Sequence, residues 1–422
     1  MADESLDIRV NNGVWSRFWS FFAGGRLVSN DSGSQMSGVS AYGEVGGSSI
    51  NDLRITQIST VYACIRLITT MLGGLPFDCY KTQANGDRVK DNTTSLAKIM
   101  DAPNKFMNGL EFREAMNMNL AAYGNAYALV QRNRQGDVIL LMPLQAARMQ
   151  VSLSEDGKSI QYIYTRDKEV AYFTQAEIFH IKGFGYNGLV GMSPLSFAAQ
   201  AAGVAIAMED NQRDFYNNGA KSPQILMPSE GRTINREQRA QLAENFKEIA
   251  GGPNKRRLWV LEAGFQTQAI GINPNDAEML ASRKFQVAEL ARFFGVPPFM
   301  VGETEKSTSW GTGLEQQNLA FVQQTMKPYL DRWEAAVRSQ LIPKADQGTF
   351  HMEFNLNGLL RGDSAARSAF YVAMKGAGIM TINEVRRLEN LPPIPGGDVA
   401  MQQAQNVPIT ETGDSDANQT NQ

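Results

Sequence analysis

A chain of 422 residues that is 43% hydrophobic can fill more than one core, which excludes a wholly disordered protein. Its 40 Lys and Arg stand against 43 Asp and Glu, a formal charge of -3, and this excludes a general tight nucleic-acid binder, which needs a clear basic excess on one face. Two cysteines and two histidines, without a CxxC pair, exclude a disulfide framework and the usual zinc arrangements, and they fit a reducing cytoplasm.

Residues 1–50 read as a flexible N-terminal arm. Within it "VWSRFWSFF" is too short to span a bilayer and carries no signal-peptide pattern. Trp15, Phe18, Phe21 and Phe22 recur at helical spacing, which fits a short helix docked on its own protein or on a neighbouring subunit. The Gly/Ser-rich stretch 24–50 that follows predicts a mobile segment.

Residues 51–192 read as a mixed α/β region. "VYACIRLITTMLGGLPFDCYK" predicts a buried helix closed by Gly73 and Gly74, then a strand. "GLEFREAMNMNLAAYGNAYALVQRN" predicts a helix and a strand, continued by "RQGDVILLMPL" across a turn at Gly136. His180, in the apolar "AEIFHIKGF", reads as a packed histidine. Ser193 as a cap and Pro194 at the first helical position open a long Ala-rich helix ended by Asn218 and Gly219.

Residues 221–273 read as a small α/β insert, and 274–300 as a second long helix stopped by Gly295, Pro297 and Pro298. After the loop 301–313, Leu319, Val322, Met326, Leu330, Trp333, Val337 and Leu341 mark an amphipathic helix over 314–345, with Pro328 expected to bend it. A strand at 346–362 and a helix pair at 363–398 follow, with caps at Asp363 or Ser364 and at Thr381. The Gln/Asn/Thr-rich stretch 399–422 predicts a disordered tail.

The loop "GETEKSTSWGTG" looks like a phosphate cradle but fails as one. Lys306 is not preceded by the final glycine of a P-loop, and no histidine lies near Ser307 or Ser309 to activate a hydroxyl. The carboxylate pairs Glu303 with Glu305 and Glu209 with Asp210 read as solvated faces. Lys255, Arg256 and Arg257 form a small basic patch suited to an acidic partner or to phosphate contacts. In "RGD" at 361–363 the aspartate reads as a helix cap. No catalytic residue, metal ligand or cofactor-binding motif emerges.

The order of elements, with the stretches "STVYACIRLITTMLGGLPFDCYK", "NAYALVQRNRQGDVILLMPL", "IFHIKGFGYNGLVGMSPL" and "ARFFGVPPFMVG", resembles the portal proteins of tailed double-stranded DNA bacteriophages, in the compact subfamily of long-tailed phages. The resemblance implies a mixed α+β portal fold: an α/β wing (51–192), a helical stem (193–220 and 274–300), a small α/β clip (221–273), a tunnel loop (301–313), a tunnel helix (314–345), a wing strand (346–362) and a helical crown (363–398). It implies a ring of about twelve copies of this chain, forming the channel for DNA packaging and ejection at one capsid vertex. Assembly would take place in the host cytoplasm and the product would be part of the virion.

Partners implied by the resemblance are the large terminase subunit, the major capsid protein or scaffold, a head-tail adaptor, and double-stranded DNA bound weakly and without sequence preference. Glu303, Thr304, Glu305, Lys306, Ser307, Thr308, Ser309 and Trp310 would line the channel. Asn254, Lys255, Arg256 and Arg257 would dock terminase or connector proteins. The rival expectation is a hydrolase with its site between the α/β and helical regions.

Overall fold

The computed structural model describes residues 41–45, 48–154, 157–166, 169–217, 224–228, 235–237, 240–241, 265–269, 276–303, 312–356, 364–389 and 391–399. The chain divides into two compact units, one of residues 1–74 and 79–352, the other of 75–78 and 353–422.

The larger unit opens with a hairpin, β1 (Ala41–Val45) and β2 (Ser48–Asn51), where the sequence suggests a mobile arm. Tertiary packing overrides the Gly/Ser composition here: Val45 and Ile50 press on Gly203 so closely that a side chain at 203 would collide with them. Helix α1 (Asp52–Gln57) is capped by Asn51, and α2 (Ser59–Gly73) buries Val61, Cys64, Ile65, Ile68 and Leu72, a three-and-four spacing along one face. Strands β3 (Phe77–Thr82) and β4 (Arg88–Lys90) follow, then the short α3 (Ser95–Asp101).

Helix α4 (Gly109–Tyr123) starts in a capping box between Asn108 and Glu111 and ends at Gly124, whose φ of 68° only glycine adopts without strain. It packs on α2. The chain then enters β5 (Asn125–Arg132), buried over its first six residues because it is the centre of the sheet β10-β5-β6, with β6 at Val138–Leu144 and β10 at Ile178–Lys182. Both partners are antiparallel to β5.

Between β6 and β10 runs a three-stranded meander, β7 (Met149–Leu153), β8 (Ile160–Arg166) and β9 (Glu169–Thr174). Its alternation turns Tyr162, Tyr164 and Phe173 inward onto Tyr127, Leu129, Leu144 and Ile178, which form the core between the two sheets.

Helix α5 (Pro194–Asn217) begins where expected, with the Ser196 N–H donating to Ser193 Oγ at 3.3 Å. Strands β11 (Gln224–Pro228) and β12 (Phe265–Ala269) pair antiparallel, with Pro228 opposite Phe265 and Gln224 opposite Ala269. Helix α6 (Asp276–Phe293) packs along α5.

The predicted single kinked helix is three pieces: α7 (Thr312–Phe321), a π-turn at Val322–Met326, and α8 (Lys327–Gln340). Pro328 sits in the first turn of α8 and the irregularity lies just before it. A proline clashes with the carbonyl four residues back, here that of Gln324, and widening that turn relieves the clash. Val322, Met326, Leu330, Trp333, Val337 and Leu341 are buried as expected, whereas Leu319 is 43% exposed. Strand β13 (Phe350–Phe354) completes the sheet β13-β3-β4.

The smaller unit carries α9 (Ser364–Gly376) and α10 (Ile382–Leu388). The expected cap at Thr381 forms a capping box with Glu384. Asn383, 1% exposed, ties the following segment down: its amide donates to the Ile394 carbonyl and accepts from the Ile394 N–H. Glu389 receives both Arg367 and the Tyr371 hydroxyl. The expected cap Asp363 lies outside the described residues.

Candidate functional site

Residues 304–311 join Glu303 to α7 (Thr312–Phe321), which runs on into the π-turn. On the incoming side, α6 is closed by Gly295 (φ 66°), and a short 3-10 turn, Pro298–Val301, ends at Gly302 (φ 98°). The Glu303 N–H donates to the Pro298 carbonyl at 3.0 Å, so the backbone is anchored up to that residue. On the outgoing side, the π-turn is tied to the end of α6 by Thr325 Oγ1, which donates to the Gly295 carbonyl at 2.5 Å.

Beyond the π-turn, α8 is bonded to the β10-β5-β6 sheet from Arg332 to Gln340. Arg332 donates to the carbonyls of Lys182 and Gly183 at 3.2 and 2.9 Å. Gln340 behaves like an extra strand residue: its Oε1 accepts from the His180 N–H at 2.9 Å and its Nε2 donates to the His180 carbonyl at 2.8 Å. Arg132 reaches the Gln340 carbonyl at 2.7 Å. Trp333, fully buried, donates from Nε1 to Asn117 Oδ1 on α4 at 2.7 Å.

Behind this mount lies a polar network whose tautomer follows from its partners. Asn125 Oδ1 accepts from the Gly191 N–H at 2.7 Å while its Nδ2 donates to the Gly191 carbonyl at 2.8 Å, so its orientation is set. His180 Nε2 lies 3.0 Å from that same oxygen and therefore carries the proton, leaving Nδ1 to accept from the Tyr162 hydroxyl at 3.2 Å. Burial, with the Lys182 charge adding to it, pushes the His180 pKa down to about 3, and burial pushes the Tyr162 phenol up to about 12.

The sign of the resulting pH dependence is fixed. The unfolded chain takes up a proton on His180 below about 6.5 and the folded chain does not until about 3. Stability from this group is therefore complete above pH 6.5 and falls on acidification at ~1.4 kcal/mol per pH unit. The expected result is a drop of about 2 kcal/mol between pH 7.5 and pH 5, read from denaturant midpoints, and a flatter profile over that interval for His180→Gln.

Of the residues singled out in the sequence, Glu303 is half-buried at the start of the loop. Thr304, Glu305, Lys306, Ser307, Thr308, Ser309 and Trp310 lie outside the described residues, as do Asn254, Lys255, Arg256 and Arg257. Asp210 is engaged structurally: Arg54 meets it at 2.7 Å and Arg213 at 2.9 Å. Gln340, Arg332 and Asn125, which the sequence does not single out, hold the mount. Among the described residues no three or more His, Cys, Asp or Glu side chains gather into a possible metal site, and no helix is long and apolar enough to cross a membrane.

The family model described as phage portal protein matches residues 59–390. The chain belongs to the phage portal protein family. It is 60% identical over 411 residues to the portal protein of Enterobacteria phage HK97, covering 97% of this chain and 96% of that protein. To the probable portal protein of Streptomyces phage phiC31 it is 30% identical over 351 residues, covering 81% of this chain and 76% of that one.

Solved structures share the fold. The virion of a native gene transfer agent particle contains a chain that matches with a TM-score of 0.56 at 23% identity, over 90% of this chain and all of that one. An HK97-family phage portal protein from Corynebacterium diphtheriae matches with a TM-score of 0.55 at 13% identity, over 74% of this chain and 96% of that one. The mixed α+β portal fold expected from the sequence is thus the fold of this chain. The hydrolase reading gains no support: His180 is buried and neutral in the fold, and Asp210 is paired with two arginines.

Proposed function

We propose that this portal protein assembles into a ring through which double-stranded DNA enters the capsid and later leaves, with no catalysis of its own. The observation that carries the reading is the mounting of residues 304–311 between the anchored Glu303 and the helix pair α7 and α8, whose outer part is bonded to a sheet. A loop held this way can touch a passing duplex while the bonded elements on either side of it bear the load. Its composition suits a sliding contact. Glu303, Glu305 and Lys306 mix signs, Ser307, Thr308 and Ser309 offer hydroxyls, and without an arginine cluster repeated around a ring the duplex is not gripped.

In this reading residues 51–192 with 346–362 form the wing, 193–220 and 274–300 the stem, 221–273 the clip, 314–345 the tunnel helix and 363–398 the crown. Asn254, Lys255, Arg256 and Arg257 in the clip meet the large terminase subunit during packaging and a head-tail adaptor afterwards. The wing and crown meet the capsid protein or scaffold at the vertex. The solved neck of a gene transfer agent particle with C12 symmetry, 23% identical to this chain, supports a ring of about twelve copies.

The test is electron microscopy with native mass spectrometry on the purified full chain. A closed ring with a central hole that admits B-form DNA is expected. A species that stays monomeric or dimeric at high concentration and with the capsid protein present would overturn the proposal. Replacing 304–310 by a Gly/Ser stretch of equal length should leave the ring intact and lower packaged DNA several-fold; unchanged packaging removes the loop from the mechanism.

A further inference from the structure

A cleft of about 600 Å³ opens in the larger unit where the start of α5, the end of α6 and the π-turn converge. It falls in the size range of sites that take large apolar groups. Its lining is aromatic: Phe184, Phe197, Phe293, Phe294 and Tyr329 contribute. Three of these stand out in solvent, Phe184 at 71%, Phe197 at 58% and Phe293 at 41% exposure. Aromatic side chains gathered at one concave place and left open mark a docking site.

We infer that residues 14–22 of this same chain occupy the cleft. The stretch "VWSRFWSFF" places Trp15, Phe18, Trp19, Phe21 and Phe22 within eight positions, and Trp15, Phe18 or Trp19, and Phe22 fall on one helical face. Such a face is far too apolar to stay in water, and an aromatic cleft is its chemical complement. Arg292 at the cleft supplies a cation for the face of an indole ring.

The connecting chain has the right length. The described chain begins at β1, whose Val45, with Ile50 of β2, rests on Gly203 of α5. Phe197 lies six positions earlier on that helix, roughly 9 Å along its axis. Ala41, where the tether joins β1, lies at most roughly 14 Å from Val45, and residues 23–40 can reach up to roughly 60 Å of extended chain. The cleft is therefore well inside the reach of the tether, and intramolecular docking benefits from a high effective concentration. The inference is independent of ring formation.

The test uses the full chain with paired cysteines, since Cys64 and Cys79 are both buried. Ser20→Cys combined with Gln324→Cys, an exposed position lining the cleft, is oxidised mildly and compared with Ser20→Cys combined with Tyr172→Cys, an exposed position on β9. A bond within one chain, formed at least ten-fold faster for the first pair, is the expected result. Equal rates for both pairs, or bonds formed only between two chains, overturn the inference. As a second readout, maleimide labelling of Phe197→Cys should accelerate about ten-fold when residues 1–22 are deleted, and an unchanged rate overturns the docking. Ring formation scored on the same variants by electron microscopy separates the two proposals: a ring without the cross-link sinks the docking alone, and the cross-link without a ring sinks the portal ring alone.

Discussion

Gly191→Ala is expected to cost about 4 kcal/mol or more, roughly a thousand-fold in the folding equilibrium, and to drive much of the chain into the insoluble fraction. The added Cβ would strike the Gly124 carbonyl oxygen and would sit 2.7 Å from the Gly183 nitrogen and 2.9 Å from the Gly183 Cα. All three atoms are backbone, so no side chain can turn aside. The backbones must separate, and the separation breaks the 2.7 Å bond from the Gly183 N–H to the Gly124 carbonyl together with both Asn125 contacts to Gly191. Those contacts are buried, and groups left without partners there carry their full desolvation cost.

The loss reaches past the three glycines. Gly124 ends α4, Gly183 follows β10, and Gly191 precedes the cap Ser193 that starts α5. Their close approach fixes where the long helix leaves the sheet. Gly188→Ala is the control: unlike Gly191, that residue has a positive φ, 68°, and there is open space where its Cβ would go. It should cost only the left-handed backbone penalty of about 1–2 kcal/mol. Equal denaturation midpoints for the two variants would refute the close-approach argument.

Where the code is local, the sequence displays the fold. The start of α5 at Ser193 and Pro194 and the cap at Thr381 each depend on residues three or four apart, and each forms where local chemistry places it. The hairpin at 41–51 is hidden because its Gly and Ser content describes a linker, while its stability comes from α5, more than 150 positions away. The meander at 149–174 is equally hard to read, since its strands are short and half polar and are recognised by the cluster they complete with Tyr127 and Ile178.

The same distinction runs through the candidate site. The loop 302–313 stands out by composition. Its mounting does not, because the Gln340 to His180 and Arg332 to Gly183 bonds join positions 149 to 160 apart. A single glutamine near a helix end carries no periodic signal. His180 is readable as a packed residue from its apolar neighbours, but its bond to Asn125 needs the register of β10 on β5.

Trp333→Ala should be the most damaging change within α8 itself. The indole is fully buried, edge-on to Phe112 with ring centroids 6.2 Å apart and 6.0 Å from the ring of Phe179. Removing it opens a cavity worth about 3–5 kcal/mol and leaves Asn117 Oδ1 without its 2.7 Å donor. Trp333→Phe keeps most of the packing and loses the hydrogen bond, so about 2 kcal/mol is expected. Asn117 Nδ2 already has no partner in its buried position, and this gives the experiment its decisive arm. In Trp333→Phe combined with Asn117→Leu, both the orphaned acceptor and the unpaired donor are gone. The double variant should recover at least half of the loss seen in Trp333→Phe, measured by guanidinium midpoints on the full chain. Strict additivity would mean that the bond between α8 and α4 contributes nothing, and the rigid seat assigned to the helix behind the loop would then rest on Gln340 and Arg332 alone.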